Sequence, residues 1–308
     1  MLIDRLGRTI GYARRWVYKR RAQRERGDRD AQWYLLAGLT DRSRLLNPDP
    51  SALTKLLPPI GYSWSDPFVW KRGTDYFIFM EEWPKGRPHA HISVLQLDKD
   101  GRLKAEPRQA LTQPYHLAYP FLFEFGGELY MMPDSNANLT VDVYRCESFP
   151  ERWVKARTLL QGICVCDATL HQHLGRWWLF FTVHGGRYHA NHDLFASHTD
   201  SLLDGAWQEH PRSPVVQSFE RARPAGRLFE LDGRLYRPSQ DCLRGYGHSL
   251  NINEITRLDD KHYTERLVHS VRPDWETGTI GNHHVDWNGG LMVMDALRLV
   301  ASDSSRKP

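Results

Sequence analysis

The feature that most limits what this chain can become is a hairpin unit that returns five times, at spacings of about 50 residues. Each copy starts with a polar or aromatic residue next to a small residue or proline. Alternating apolar positions, a Gly-centred turn and an apolar or aromatic strand follow. The copies open at Asp66-Pro67-Phe68, Tyr119-Pro120-Phe121, Asp167-Ala168-Thr169, Arg223-Pro224-Ala225 and Asn282-His283-His284, and they turn at Gly73, Gly126-Gly127, Gly175, Asp232-Gly233 and Gly289-Gly290. Alternation on both sides of a short Gly turn predicts a β-hairpin. Further strand-like pieces at 91–97, 140–145, 193–197 and 248–255, with edge strands around Trp153, Trp207 and Tyr263, bring the count to about four strands per unit. The expectation is an all-β fold, a five-bladed β-propeller with four-stranded blades over residues 30–300. A β-sandwich would leave the fivefold recurrence unexplained. Residues 32–36, with their Trp33-Tyr34 pair, read as an outer strand that closes the last blade with N-terminal chain.

Charge separates the ends from the body. Residues 1–28 hold nine basic and three acidic residues, whereas the remainder holds 32 basic and 34 acidic ones. The basic balance therefore belongs to the tail, and no nucleic-acid partner is expected. Leu2, Leu6, Ile10, Ala13 and Val17 recur at helical spacing among arginines, which predicts a short basic amphipathic helix or tail over 1–29. Such a helix suits a membrane surface, a partner protein or the propeller itself. Residues 301–308 read as a disordered tail. The N-terminus lacks the order of a signal peptide, and Cys146, Cys164, Cys166 and Cys242 form no CxxC pair. The expected location is cytoplasmic, peripheral at the inner face of the membrane where the helix docks. The apolar runs, such as Trp177 to Phe181, are far too short to span a bilayer.

In a propeller the first strand of each blade lines the central channel, and the second runs antiparallel to it. First-strand starts and second-strand ends therefore meet at one rim. The starts bring Asp66, Tyr119 with His116 just before it, Asp167, Arg223 and His283. The ends bring Glu81-Glu82, Asp134 to Asn136, His184 and Gln240-Asp241. From these, Asp66, Asp167, Arg223 and His283 are the candidate catalytic groups. Trp64, Glu82, His116, Tyr119, Asp134, His184, Arg221, Arg227 and Asp241 are the candidate substrate-binding groups. Arg221, Arg223 and Arg227 beside these acids point to an anionic or polyhydroxyl ligand, with Trp64, Trp83 and Tyr119 as aromatic faces at the mouth. No resident cofactor is expected apart from a divalent cation, calcium, in the central channel.

Five ordered motifs carry a resemblance: Trp64-Ser65-Asp66-Pro67-Phe68, Tyr115-His116-Leu117-Ala118-Tyr119-Pro120-Phe121, Asp167-Ala168-Thr169-Leu170, Ala222-Arg223-Pro224-Ala225-Gly226-Arg227-Leu228 and Arg237-Pro238-Ser239-Gln240-Asp241-Cys242. From Gln32 to Leu297 the chain resembles the N-terminal propeller domain of plant glucosamine inositolphosphorylceramide transferases and its stand-alone bacterial relatives. It is distantly similar to glycoside hydrolase family 43. The transferase domain of the plant proteins lies C-terminal to the propeller, beyond the resemblance. The hydrolase likeness implies Asp66 as general base and Asp167 as the residue that orients it. At the place of the general acid stands Arg223, which stays protonated and is unsuited to donate that proton. The implied function is binding or processing of a sugar or sugar-phosphate in the synthesis or modification of cell-surface glycans. The alternative is a non-catalytic glycan-binding or scaffold propeller that partners a glycosyltransferase.

Overall fold

The structure, a computed structural model, describes residues 29–301. The helix expected over 1–29 and the tail expected over 301–308 lie outside the described residues except for Arg29 and Ala301, which pair with each other as strand ends. The chain forms five antiparallel sheets, and they follow the five repeats. Blade I comprises Tyr62–Arg72, Asp75–Pro84, His91–Leu97 and Arg108–Leu111. Blade II comprises Ala118–Phe125, Glu128–Asp134, Thr140–Ser148 and Arg152–Gln161. Blade III comprises Val165–His173, Arg176–Val183, Asp193–Thr199 and the two-residue edge Gln208–Glu209. Blade IV comprises Phe229–Leu231, Arg234–Asp241, Ser249–Leu258 and Tyr263–Val271.

Blade V is built from both ends of the described chain. Val285–Asn288 pairs with Leu291–Ala301, which pairs along its whole length with Arg29–Leu39. The short strand Thr54–Leu56 lies outside Arg29–Leu39. The segment around Gln32 to Leu36 is thus the third strand of this blade and not its outer edge, because two 3-10 turns, Arg42–Leu46 and Pro50–Ala52, return the chain to add one more. Closing the ring with the N-terminal strand joins the first and last parts of the fold through backbone hydrogen bonds. Among the described residues no helix is long and apolar enough to cross a membrane.

Four of the five inner hairpins turn through two residues that both have positive φ, at 126–127, 174–175, 232–233 and 289–290. That is the type I′ geometry whose twist matches the flanking strands. Apolar faces of successive blades interlock. Phe68, Phe79, Phe121, Phe123 and Trp153 belong to one core that runs through blades I to III. Blade IV also buries an ion pair: Arg237, fully buried, donates from Nη2 to Glu265 Oε2 at 2.8 Å and to the carbonyl of Arg221 at 2.7 Å.

Candidate functional site

Three inner strands carry the same irregularity at the same place. In blade I, Ser65 faces Glu81 but Phe68 faces Phe79, so Asp66 and Pro67 together oppose a single residue. The register shifts likewise between Ala118 and Phe121 in blade II and between Cys166 and Thr169 in blade III. The first residue of each extra pair has a left-handed backbone: Asp66 at φ 52°, Tyr119 at 46° and Asp167 at 53°. A bulge of this kind re-aims a side chain out of the normal alternation. Left-handed backbone costs a non-glycine residue about 1–2 kcal/mol. Hydrogen bonds from neighbouring elements offset the cost. The Asp66 amide donates to Asp295 Oδ2 at 3.1 Å, and the Asp167 amide to Asp134 Oδ2 at 3.2 Å.

These bulges open onto a cavity of about 200 Å³ at the rim where inner strands start. Of the candidate residues, Asp66, Asp167, Arg223, His283, His116 and Asp134 line it, together with Glu81, Trp33, Trp83, Tyr246 and smaller residues. Arg223 is committed to Asp167: Nε donates to Oδ2 at 2.6 Å and Nη2 to Oδ1 at 3.3 Å. Its Nη1 donates to Asn191 Oδ1 at 3.0 Å, and the guanidinium lies 4.8 Å from the Tyr246 ring centre. Gln240 Nε2 also donates to Asp167 Oδ2, at 3.1 Å.

Behind the cavity, His283 Nδ1 lies 2.6 Å from Asp295 Oδ2, an ion-pair contact rather than a well-aligned hydrogen bond. Burial alone would depress this imidazole, but Asp295, then Asp66 and Asp167, hold its pKa up at about 9. Asp66 stands 3.7 Å from His283 Nε2. Burial pushes the Asp66 carboxyl well above the usual carboxylate range; His283 opposes this, and Asp167, Glu81 and Asp295 add to it. Asp134 is raised to about 6 by burial and by Asp167. His116 is lowered by burial but raised more by Glu81, whose Oε1 is 3.2 Å from its Nε2. The cavity is therefore rich in acids, and its one guanidinium is already paired.

Seven expected substrate-binding residues do not line it. Trp64 is buried in the blade and donates from Nε1 to Glu82 Oε1 at 2.8 Å. Glu82 also accepts from Ser93 Oγ at 2.7 Å and meets His91, so it braces blade I while Glu81 faces the cavity. Tyr119 is fully buried. Its hydroxyl bonds Thr169 Oγ1 at 2.7 Å and accepts from the Gly226 amide at 2.9 Å, which makes it a strut across three blades. Arg227 is spent on Asp286 Oδ1 at 3.1 Å and the Leu122 carbonyl at 2.7 Å, linking blades II, IV and V. Arg221 serves the buried Arg237 through its carbonyl. His184 is an exposed loop residue whose amide donates to the Cys164 carbonyl. Asp241 accepts from the Leu243 amide, and burial with nearby Glu220 lifts it to about 6.

Two lining residues lay outside the repeat pattern. Trp33 comes from the N-terminal strand and stacks on His283 with ring centres 4.0 Å apart. Tyr246 comes from the loop after Asp241, and its hydroxyl lies 3.1 Å from His283 Nε2. No repeat position marks either one.

Asp66, His283 and Asp295 offer ligand atoms within 4.8 Å of one another, so this cluster is where a channel cation would sit. The chemistry fits calcium poorly. Calcium takes six to eight oxygens. Here Asp295 already accepts the amides of Asp66, His283 and His284, and the third member is an imidazole held protonated.

Comparison with known proteins follows the same lines. The family model for glucosamine inositolphosphorylceramide transferase 1, N-terminal, matches residues 60–302. The transferase of that name from Oryza sativa subsp. indica is 33% identical over 258 residues, which cover 79% of this chain and 34% of that protein. This chain therefore matches only about a third of that relative's length. Among solved structures, the catalytic domain of a Coprinopsis cinerea family 62 α-L-arabinofuranosidase is similar at a TM-score of 0.57 and 13% identity, covering 77% of this chain and 90% of that one. A family 117 glycoside hydrolase from Zobellia galactanivorans is similar at a TM-score of 0.54 and 13% identity, covering 90% and 93%. At such identity these two support the fold.

Proposed function

The chain belongs to the glucosamine inositolphosphorylceramide transferase 1 N-terminal family, and from that premise we propose that its rim cavity holds a sugar residue of a glycan or glycolipid. The observation that carries this reading is the placement of Asp66 and Asp167, each on an equivalent left-handed bulge, in one acid-rich cavity edged by Trp33, Trp83 and Tyr246. Carboxyl groups accept hydrogen bonds from sugar hydroxyls, and an exposed indole gives an apolar face against a sugar ring. Trp83, 44% exposed, is placed for that stacking.

The charge balance argues for an unphosphorylated sugar. Arg223 and Arg227 were expected beside an anionic ligand, yet Asp167 and Asp286 already neutralise them. A phosphate entering beside Glu81, Asp134 and Asp167 would meet repulsion, whereas an uncharged or ammonium-bearing sugar would not. Docking on a membrane surface or a glycosyltransferase through the basic residues 1–28 belongs to the same proposal and rests on sequence alone.

A catalytic second reading is favoured by the raised carboxyls. The high position of Asp66 suits a proton donor better than the ionised base expected from the resemblance. Asp134, at about 6, is the other candidate acid and takes the role that Arg223 cannot fill. Calorimetry against neutral sugars, amino sugars and their 1-phosphates, followed by chromatography for products, tests both. We expect a sugar to bind and its 1-phosphate to bind at least tenfold more weakly. Sugar binding without product selects recognition, and product selects catalysis. Absence of binding by every sugar to the folded protein overturns the proposal.

A further inference from the structure

The inner strand of blade III runs from the cavity to the opposite face of the propeller, and its far end carries a second cluster. His171 lies four residues beyond Asp167, about 13 Å along an extended strand, and His173 lies two residues further on the same strand face. Across the seam, on the inner strand of blade IV, stands Glu230. His171 Nε2 and His173 Nδ1 each lie 3.7 Å from Glu230 Oε1, and one ligand atom from each of the three residues falls within 4.8 Å of the other two. These separations are too long for direct hydrogen bonds. They are close to the spacing of about 3.3 Å that tetrahedral ligands adopt around a zinc ion with bonds near 2.0–2.1 Å.

Three further observations fit a metal. His171 Nε2 is buried and has no hydrogen-bond partner. The two imidazoles lie with ring centres 6.4 Å apart and planes 28° from parallel. Glu230, whose side chain is 53% exposed, leaves the cluster open to solvent, so an ion can enter and a water can complete the shell.

We propose that His171, His173 and Glu230 bind a zinc-like divalent ion that clips blade III to blade IV on the face opposite the sugar cavity. Two imidazoles and one carboxylate favour zinc, nickel, cobalt or copper over calcium and magnesium. Because the ligands come from two blades, the ion stabilises the folded state only.

The test uses the full chain and zinc chloride. With excess zinc the wild-type melting temperature rises by about 5 °C, whereas calcium leaves it unchanged. Isothermal titration finds a zinc site that disappears in His173→Gln and weakens at least tenfold in Glu230→Gln. Both substitutions lie at partly exposed positions, so both variants fold, and circular dichroism checks this. Zinc affinity and melting shift unchanged in both folded variants overturns the proposal and leaves adventitious binding by other histidines. Absence of any zinc effect on the wild type overturns it as well.

Discussion

Tyr119→Phe separates a structural strut from a ligand contact. The substitution removes one oxygen from a site with no exposed surface. Thr169 keeps a partner, because its hydroxyl also donates to the Asp167 carbonyl at 3.1 Å. The Gly226 amide does not. It loses its 2.9 Å acceptor, and the surrounding backbone cannot shift to replace it, since even a Cβ at Gly226 would lie 1.9 Å from the Val285 carbonyl. One buried donor left unsatisfied costs about 1–3 kcal/mol. Taking about 2 kcal/mol, a domain of this size should lose about 3–4 °C in melting temperature. Thermal melts and urea titrations read the stability, and sugar calorimetry reads the site. The expected result is lower stability with sugar affinity changed less than threefold. An unchanged melting temperature with lost sugar affinity would refute the strut and return Tyr119 to the binding site.

Glu82→Ala strands the buried Trp64 indole N–H and should cost about 1–3 kcal/mol in chemical denaturation. Glu81→Gln, one residue earlier, should lower sugar affinity at least tenfold with a melting temperature within 2 °C of wild type. Glu265→Ala leaves the Arg237 guanidinium buried without its carboxylate, and about 3–5 kcal/mol should be lost in urea unfolding. His283 is raised in the folded state from 6.5 to about 9, so the fold binds this proton more tightly than the unfolded chain does. Its contribution to stability is complete below pH 6.5 and disappears as pH rises through about 9. Melting temperatures of wild type and His283→Gln should converge across that window, and a constant difference would sink the assignment.

The fold was legible because the hairpin repeat is a local signal, with alternating apolar residues and Gly turns that need no tertiary contact to be read. Gly126-Gly127 and Gly289-Gly290 mark turns that require positive φ at both positions, and the structure places type I′ geometry there. Strand order within blade V was less legible. Thr54–Leu56 is only three residues long and carries no alternation, so it could not be seen as the outer neighbour of Arg29–Leu39. Trp33 and Tyr246 reach the cavity from that same third strand and from a loop, so no repeat position announces them.

The choice between Glu81 and Glu82 follows from strand pairing only once the bulge at Asp66-Pro67 is counted, since a regular ladder back from the Gly73-Thr74 turn would set Ser65 opposite Glu82. Residues directly opposed in an antiparallel ladder point to the same face. Trp64 opposes Glu82, and Ser65 opposes Glu81. A tryptophan followed by the alternating apolar run of an inner strand belongs to the blade core, so its partner Glu82 must turn inward with it. Ser65 and Glu81 then share the other face. The same rule holds around the rim: Ser63 opposes Trp83 and both line the cavity, as do Ala118 and its partner Asp134. It fails only at Asp66, Tyr119 and Asp167, where the left-handed bulge breaks the alternation. Parity along the ladder therefore places the walls of this cavity, and the bulges at Asp66 and Asp167 turn two further carboxyl groups out of that order into it.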